Sequence, residues 1–85
     1  MAVVLLPSLL AGEAGGRTRF ETSAVTVGAA LRELPIGDLL FDEGGELRSL
    51  VNVYVGGVDV HEREGLETPL DEASELRVVA AIAGG

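Results

Sequence analysis

Two strongly apolar runs stand near opposite ends of the chain, residues 2–6 (Ala-Val-Val-Leu-Leu) and residues 76–82 (Leu-Arg-Val-Val-Ala-Ala-Ile). The first is continuously apolar, the kind of strand expected in the middle of a sheet. With 85 residues in all, one domain is the reasonable count. Both runs then belong to one sheet, and where they lie side by side at its centre the chain ends at a sheet edge. The residues between them must supply the flanking strands and a layer that covers one face.

One segment has the pattern of a helix. Thr26 offers a hydroxyl to the free N–H groups of a first turn, and Val27, Ala30, Leu31 and Leu34 recur at i, i+3, i+4 and i+7, a single helix face. Pro35 predicts its end, because the residue before a proline is pushed out of helical geometry. A helix this short is not stable alone in water, so it must pack on the sheet. Residues 36–41 predict a turn or short helical segment that adds Leu39, Leu40 and Phe41 to the same core.

The remaining strands follow from alternation. Residues 17–22 form a second strand, half exposed and anchored by Phe20, joined to the first as a hairpin with a long loop. Residues 50–55 place Val51, Val53 and Val55 on one face and Asn52 and Tyr54 on the other. Gly56-Gly57 is a hairpin turn, and residues 58–61 return as a short strand. Residues 62–74 are loop, with Leu66 and Leu70 as core plugs, and 42–46 form a solvated acidic loop. Runs of strands around one packed helix give an α+β fold, a mixed sheet of four to five strands covered on one face.

Composition removes most function classes. Fourteen acidic side chains stand against six basic ones, all Arg, for a formal charge of −8. Such a polyanion lacks the clustered cations that neutralise nucleic-acid phosphates. Without Cys there is no disulfide, thiol nucleophile or thiolate metal site. The one His, His61, is expected at a solvent-side strand end. The acidic set Glu62, Glu64, Glu67, Asp71, Glu72 and Glu75 lacks the spacing of a Ca²⁺ loop. Gly12-Glu13-Ala14-Gly15-Gly16 lacks the Lys-Ser/Thr of a phosphate-binding loop and is a turn. The apolar start has no positive region before it, since the first cation is Arg17, and Pro7 interrupts it. A cytoplasmic protein without membrane association is therefore expected.

The closing Gly84-Gly85 carries the sharpest functional signal. Lacking Cβ atoms, two glycines can thread a narrow channel and present a terminal carboxylate to another enzyme's active site. Together with Val51-Asn52-Val53-Tyr54-Val55, Asp59-Val60, Gly65-Leu66-Glu67-Thr68-Pro69-Leu70 and Ala81-Ile82-Ala83, the chain resembles the ubiquitin-like sulfur carriers of the MoaD/ThiS type. Within that family it is most like the CysO-type carriers of actinobacterial cysteine biosynthesis. It has Val79-Ala80 where family members often carry Pro.

The resemblance implies a β-grasp domain over residues 1–82 with a tail at 83–85, and a carrier that is not itself an enzyme. It implies that an E1-like enzyme, using ATP and Mg²⁺ that the carrier does not bind, adenylates the Gly85 carboxylate, which then becomes a thiocarboxylate. The sulfur acceptor would be a PLP-dependent cysteine synthase of the O-phosphoserine sulfhydrylase type, or else the large subunit of molybdopterin synthase. A non-catalytic interaction domain is the alternative of another class.

Two further expectations come from the residues. Without Lys, the chain could be linked to itself only through its N-terminus, which favours a carrier over a chain-forming modifier. If Leu76, Val78, Ala80 and Ile82 face the helix, then Arg77, Val79 and Ala81 face outward. From the first strand either Val3 and Leu5 or Ala2, Val4 and Leu6 must also face out, since both its faces are apolar; Leu5, Arg77, Val79, Ala81 and Ala83 are then the expected partner-docking patch beside the tail.

Overall fold

The computed structural model describes residues 1–80. Strand β1 (Ala2–Leu5) is followed by helix α1 (Ser8–Ala11), then β2 (Arg19–Thr22), α2 (Val27–Arg32) and α3 (Gly37–Leu40). Strands β3 (Val51–Val55), β4 (Val58–Asp59) and β5 (Glu75–Ala80) complete the described elements. They form one five-stranded mixed sheet in the order β2-β1-β5-β3-β4. The two terminal strands are neighbours at its centre and run parallel, with Leu5 opposite Arg77. All other pairs are antiparallel. This is the β-grasp arrangement.

Helix α2 covers the inner face. Val27 and Leu31 are fully buried and Ala30 nearly so, against Val4, Val53, Leu76 and Val78. Thr26 caps the helix, its Oγ1 accepting from the Ala29 N–H at 3.2 Å. The helix ends at Arg32, earlier than the Leu34 limit set by Pro35. Leu34 N–H reaches back only to the Leu31 carbonyl. That tighter last turn still leaves Leu34 buried.

Three expectations are corrected. The loop after β1 is partly helical: α1 and a 3₁₀ turn (Gly12–Ala14) bury Leu10, Ala11 and Ala14. The Ala11 carbonyl then accepts from Gly16 N–H at 2.7 Å, with Gly15 and Gly16 at φ 74° and 86°, where glycine is favoured. Strand β4 stops at Asp59 and does not continue to His61. The Asp59 carboxylate accepts the His61 N–H and caps a 3₁₀ turn that carries Val60 into the core, fully buried. Leu39 does not join the core: it lies on the outer side of α3 and is 42 % exposed, while Leu40 is fully buried.

Candidate functional site

The outer face of the sheet and the end from which the chain leaves β5 form the candidate site. Pleating sends Glu75, Arg77 and Val79 outward from β5, with Leu76 and Val78 buried between them. Cross-strand register sorts the outward side chains into rows. Furthest from the tail lies Glu21–Val3–Glu75; next comes Arg19–Leu5–Arg77–Tyr54–Asp59; nearest the tail, Val79 stands opposite Asn52.

This face is not a plain apolar cluster. Leu5 sits between two guanidinium-bearing residues, Arg19 on β2 and Arg77 on β5. Strand spacing of about 4.8 Å puts those two backbones roughly 10 Å apart. Arg77 reaches Glu75 at 3.4 Å, but both side chains are more than half exposed, so the pair holds Arg77 only weakly. Val79 is 40 % exposed with β5 firmly held beneath it. Charge therefore runs along the strands, from acidic at the start of β5 through basic to apolar at its end.

The structure thus brings Leu5 and Arg77 directly opposite one another, with Val79 two residues further along the same face. Ala81, Ala83, Gly84 and Gly85 lie outside the described residues. Near the end of β5, sequence reasoning missed a groove of about 340 Å³ on the inner side, lined by Leu10, Leu39, Arg48, Leu50, Val51 and Ala80. Leu10 and Ala14, spaced i and i+4 after Pro7, were the available sign of the helical segment formed by α1 and the 3₁₀ turn after it, from which Leu10 lines the groove.

The other polar groups are structural. Asp59 has its carboxyl held below the usual range, first by the His61 N–H and further by the His61 ring, with partial burial opposing. The His61 Nδ1 lies 2.9 Å from Asp59 Oδ1, on an exposed turn. Thr68 is fully buried; its hydroxyl donates to the Gly65 carbonyl at 2.7 Å and accepts from Glu64 N–H at 3.2 Å. Among the described residues no group of three or more His, Asp or Glu side chains is placed to hold a metal ion. No described helix is long and apolar enough to cross a membrane.

Comparison with known proteins adds family context. The model of the ThiS family matches residues 4–85. The sulfur carrier protein CysO of Mycobacterium tuberculosis is 32 % identical over 89 residues, covering 96 % of each chain. Among solved structures, a chain of the Amycolatopsis orientalis BexX/CysO complex superposes with a TM-score of 0.85 at 29 % identity, covering both chains fully. Mycobacterium tuberculosis CysO superposes with a TM-score of 0.84 at 27 % identity, over 96 % of this chain and 100 % of that one.

Proposed function

The chain belongs to the ThiS family, and from that premise we propose that it is a cytoplasmic sulfur carrier whose C-terminal carboxylate is the working group. The observation that carries the proposal is continuity: the family match runs through residue 85, so it includes the closing Gly84-Gly85. Likeness to a sulfur carrier over 96 % of both chains supports it. As a ThiS-family carrier the protein is not itself an enzyme.

A carboxylate resists nucleophiles until it bears a better leaving group. In the proposed cycle a Gly85 carboxylate oxygen attacks the α-phosphorus of ATP on an E1-like enzyme, and pyrophosphate departs. A sulfur nucleophile then attacks the carbonyl carbon and AMP leaves. Once the sulfur is freed from its donor, the terminus is a thiocarboxylate. Its sulfur passes to an acceptor synthase, which we assign to cysteine formation, as the likeness to CysO favours. ATP and Mg²⁺ belong to the activating enzyme.

We assign residues 1–82 to the domain and 83–85 to the tail that enters partner channels. The docking patch is Leu5, Arg77 and Val79, continued by Ala81 and Ala83. Its support is physical: Val79 is exposed beside the point of exit, and Leu5 and Arg77 share one cross-strand row. The overall charge of −8 would steer the carrier toward a basic partner. On the patch itself Arg19 and Arg77 call for carboxylates instead.

Intact-mass measurement after incubation with an E1-like enzyme, ATP and a sulfur donor tests the proposal. An oxygen-to-sulfur mass gain, lost on deletion of Gly85, is expected. No gain with an enzyme active on its own carrier would favour a plain interaction domain. Sulfur delivered instead to a molybdopterin synthase large subunit would redirect the pathway but keep the carrier.

A further inference from the structure

Strand β2 lies at one end of the sheet, and its hydrogen bonds to β1 determine which backbone groups face away from that end. Leu6 N–H donates to the Thr18 carbonyl at 2.8 Å, in the same register that pairs Val4 with Phe20 and Ala2 with Thr22. Hydrogen-bonded and non-hydrogen-bonded pairs alternate along an antiparallel ladder. Phe20 and Thr22 therefore turn their N–H and C=O groups to β1, and those of Arg19 and Glu21 point outward from the edge. Among the described residues no strand lies beyond them.

The side chains on this edge alternate in sign. Arg19 and Glu21 are exposed, and neither makes an ion pair among the described residues. Phe20 between them is half-buried against the core, with the Arg17 guanidinium 4.4 Å from its ring centre. An edge charged with one sign repels a strand of its own kind. An edge with Arg and Glu two residues apart does not. When a second copy is turned antiparallel about Phe20, each Arg19 stands opposite the other chain's Glu21. These are the residues with outward N–H and C=O groups, so each such pair also exchanges two backbone hydrogen bonds. Phe20 meets Phe20 at the non-hydrogen-bonded position, where cross-strand side chains are closest. Sliding the copy by two residues sets Arg19 opposite Arg19, or Glu21 opposite Glu21, and like charges directly opposite are destabilising. Sliding it by one faces outward groups with groups already bonded to β1.

We propose that the β2 edge joins two copies of this chain as a two-fold antiparallel pair, giving one continuous sheet with five strands from each chain. The opposite edge, β4, is two residues long and offers little to pair. The contact therefore closes as a dimer and does not grow into a filament. A four-residue strand on each side is far short of the about 20–30 residues a side of a standard stable interface, so the dimer forms only as concentration rises. A two-fold axis normal to the sheet keeps both outer faces on one side, with Leu5, Arg77 and Val79 of each chain uncovered. The inference goes beyond the sulfur-carrier proposal and does not depend on it.

Sedimentation equilibrium of the full-length chain up to about 1 mM, near the weak end of specific association, tests this alongside amide NMR over the same range. The average mass should rise toward that of two chains, with concentration-dependent amide shifts centred on residues 18–22. Arg19→Glu and Glu21→Arg should each weaken association about ten-fold, since either one sets like charges in both cross-strand pairs. An equimolar mixture of the two variants should associate as the wild type does, because every pair is again of opposite charge. That rescue also shows both variants to be folded. A wild-type chain that stays monomeric at about 1 mM overturns the proposal, as do shifts centred on another surface. Association unchanged by either single substitution, or a mixture that stays monomeric, overturns it as well. Sulfur loading by mass is read separately, so either result can fail while the other stands.

Discussion

Replacing Val79 by Asp separates docking from folding. Val79 is 40 % exposed on the outer face of β5 and faces Asn52 across the pair, so the variant puts a charge where water still reaches. The lost apolar contact is about half of a fully buried valine, roughly 1 kcal/mol. Poorer strand propensity adds up to about 1 kcal/mol. A total of about 1–2 kcal/mol corresponds to a fall in Tm of roughly 4–16 °C for a domain of this size. Val78→Asp is the contrast: its side chain is 1 % exposed, and burial of an unpaired carboxylate there should prevent stable folding. If Val79 lies at the centre of the partner interface, a desolvated Asp should lower kcat/KM for adenylation at least 100-fold, about 2.8 kcal/mol. Pyrophosphate exchange into ATP measures that step, and thermal denaturation measures the fold. A Val79→Asp chain that melts within the stated range yet is adenylated as fast as wild type would refute the docking role.

Three further outcomes test the packing and the electrostatics. Gly28→Ala should fail to stabilise α2 despite a propensity gain of about 1 kcal/mol, because a Cβ there would stand 3.2 Å from both the Cβ and the carbonyl oxygen of Leu66; urea denaturation showing a clear gain would contradict that close packing. Thr68→Val keeps the side chain's shape but leaves the Glu64 N–H without its hydroxyl partner, and a loss of about 1–3 kcal/mol is expected in the same assay. The Asp59 carboxyl should titrate below 3.8 by carbon-detected NMR, since the His61 N–H favours its charged form. Its contribution to stability is then complete above the ordinary Asp value and lost as pH falls through the lower folded value. A midpoint at or above 3.8 would show that the cap is not formed in solution.

Much of the fold was legible because its causes are local. The face Val27, Ala30, Leu31 and Leu34 is buried as its spacing predicts, and Val51, Val53 and Val55 alternate with half-buried Asn52 and Tyr54. Both patterns follow from backbone periodicities that operate within a few residues. Where the chain departed from expectation, a competing local bond or a tertiary wall decided. The Asp59 cap turned Val60 out of a strand and into the core. Leu39 and Leu40 have equal hydrophobicity, but the docking of α3 put only Leu40 inside.

The candidate site divides along the same line. Alternation named Arg77 and Val79 as outward-facing once Leu76 and Val78 were set inward. The uniformly apolar first run left open whether Val3 and Leu5 or Ala2, Val4 and Leu6 faced out; the structure half-exposes Val3 and Leu5 and buries Ala2, Val4 and Leu6. That Leu5 lies between Arg19 and Arg77 depends on strand register, which is set by contacts between residues far apart in the chain. The groove likewise gathers Leu10, Leu39, Leu50 and Ala80 from four separate segments. The two apolar runs at the ends of the sequence determined that both would be strands buried in one sheet, because both carry side chains that avoid water. Only the tertiary structure decided that they are neighbours and run parallel, and so which charges cross the outer face and what lies beside the end of β5. A strand's composition says what it will bury; its direction and register depend on partners that local sequence does not contain.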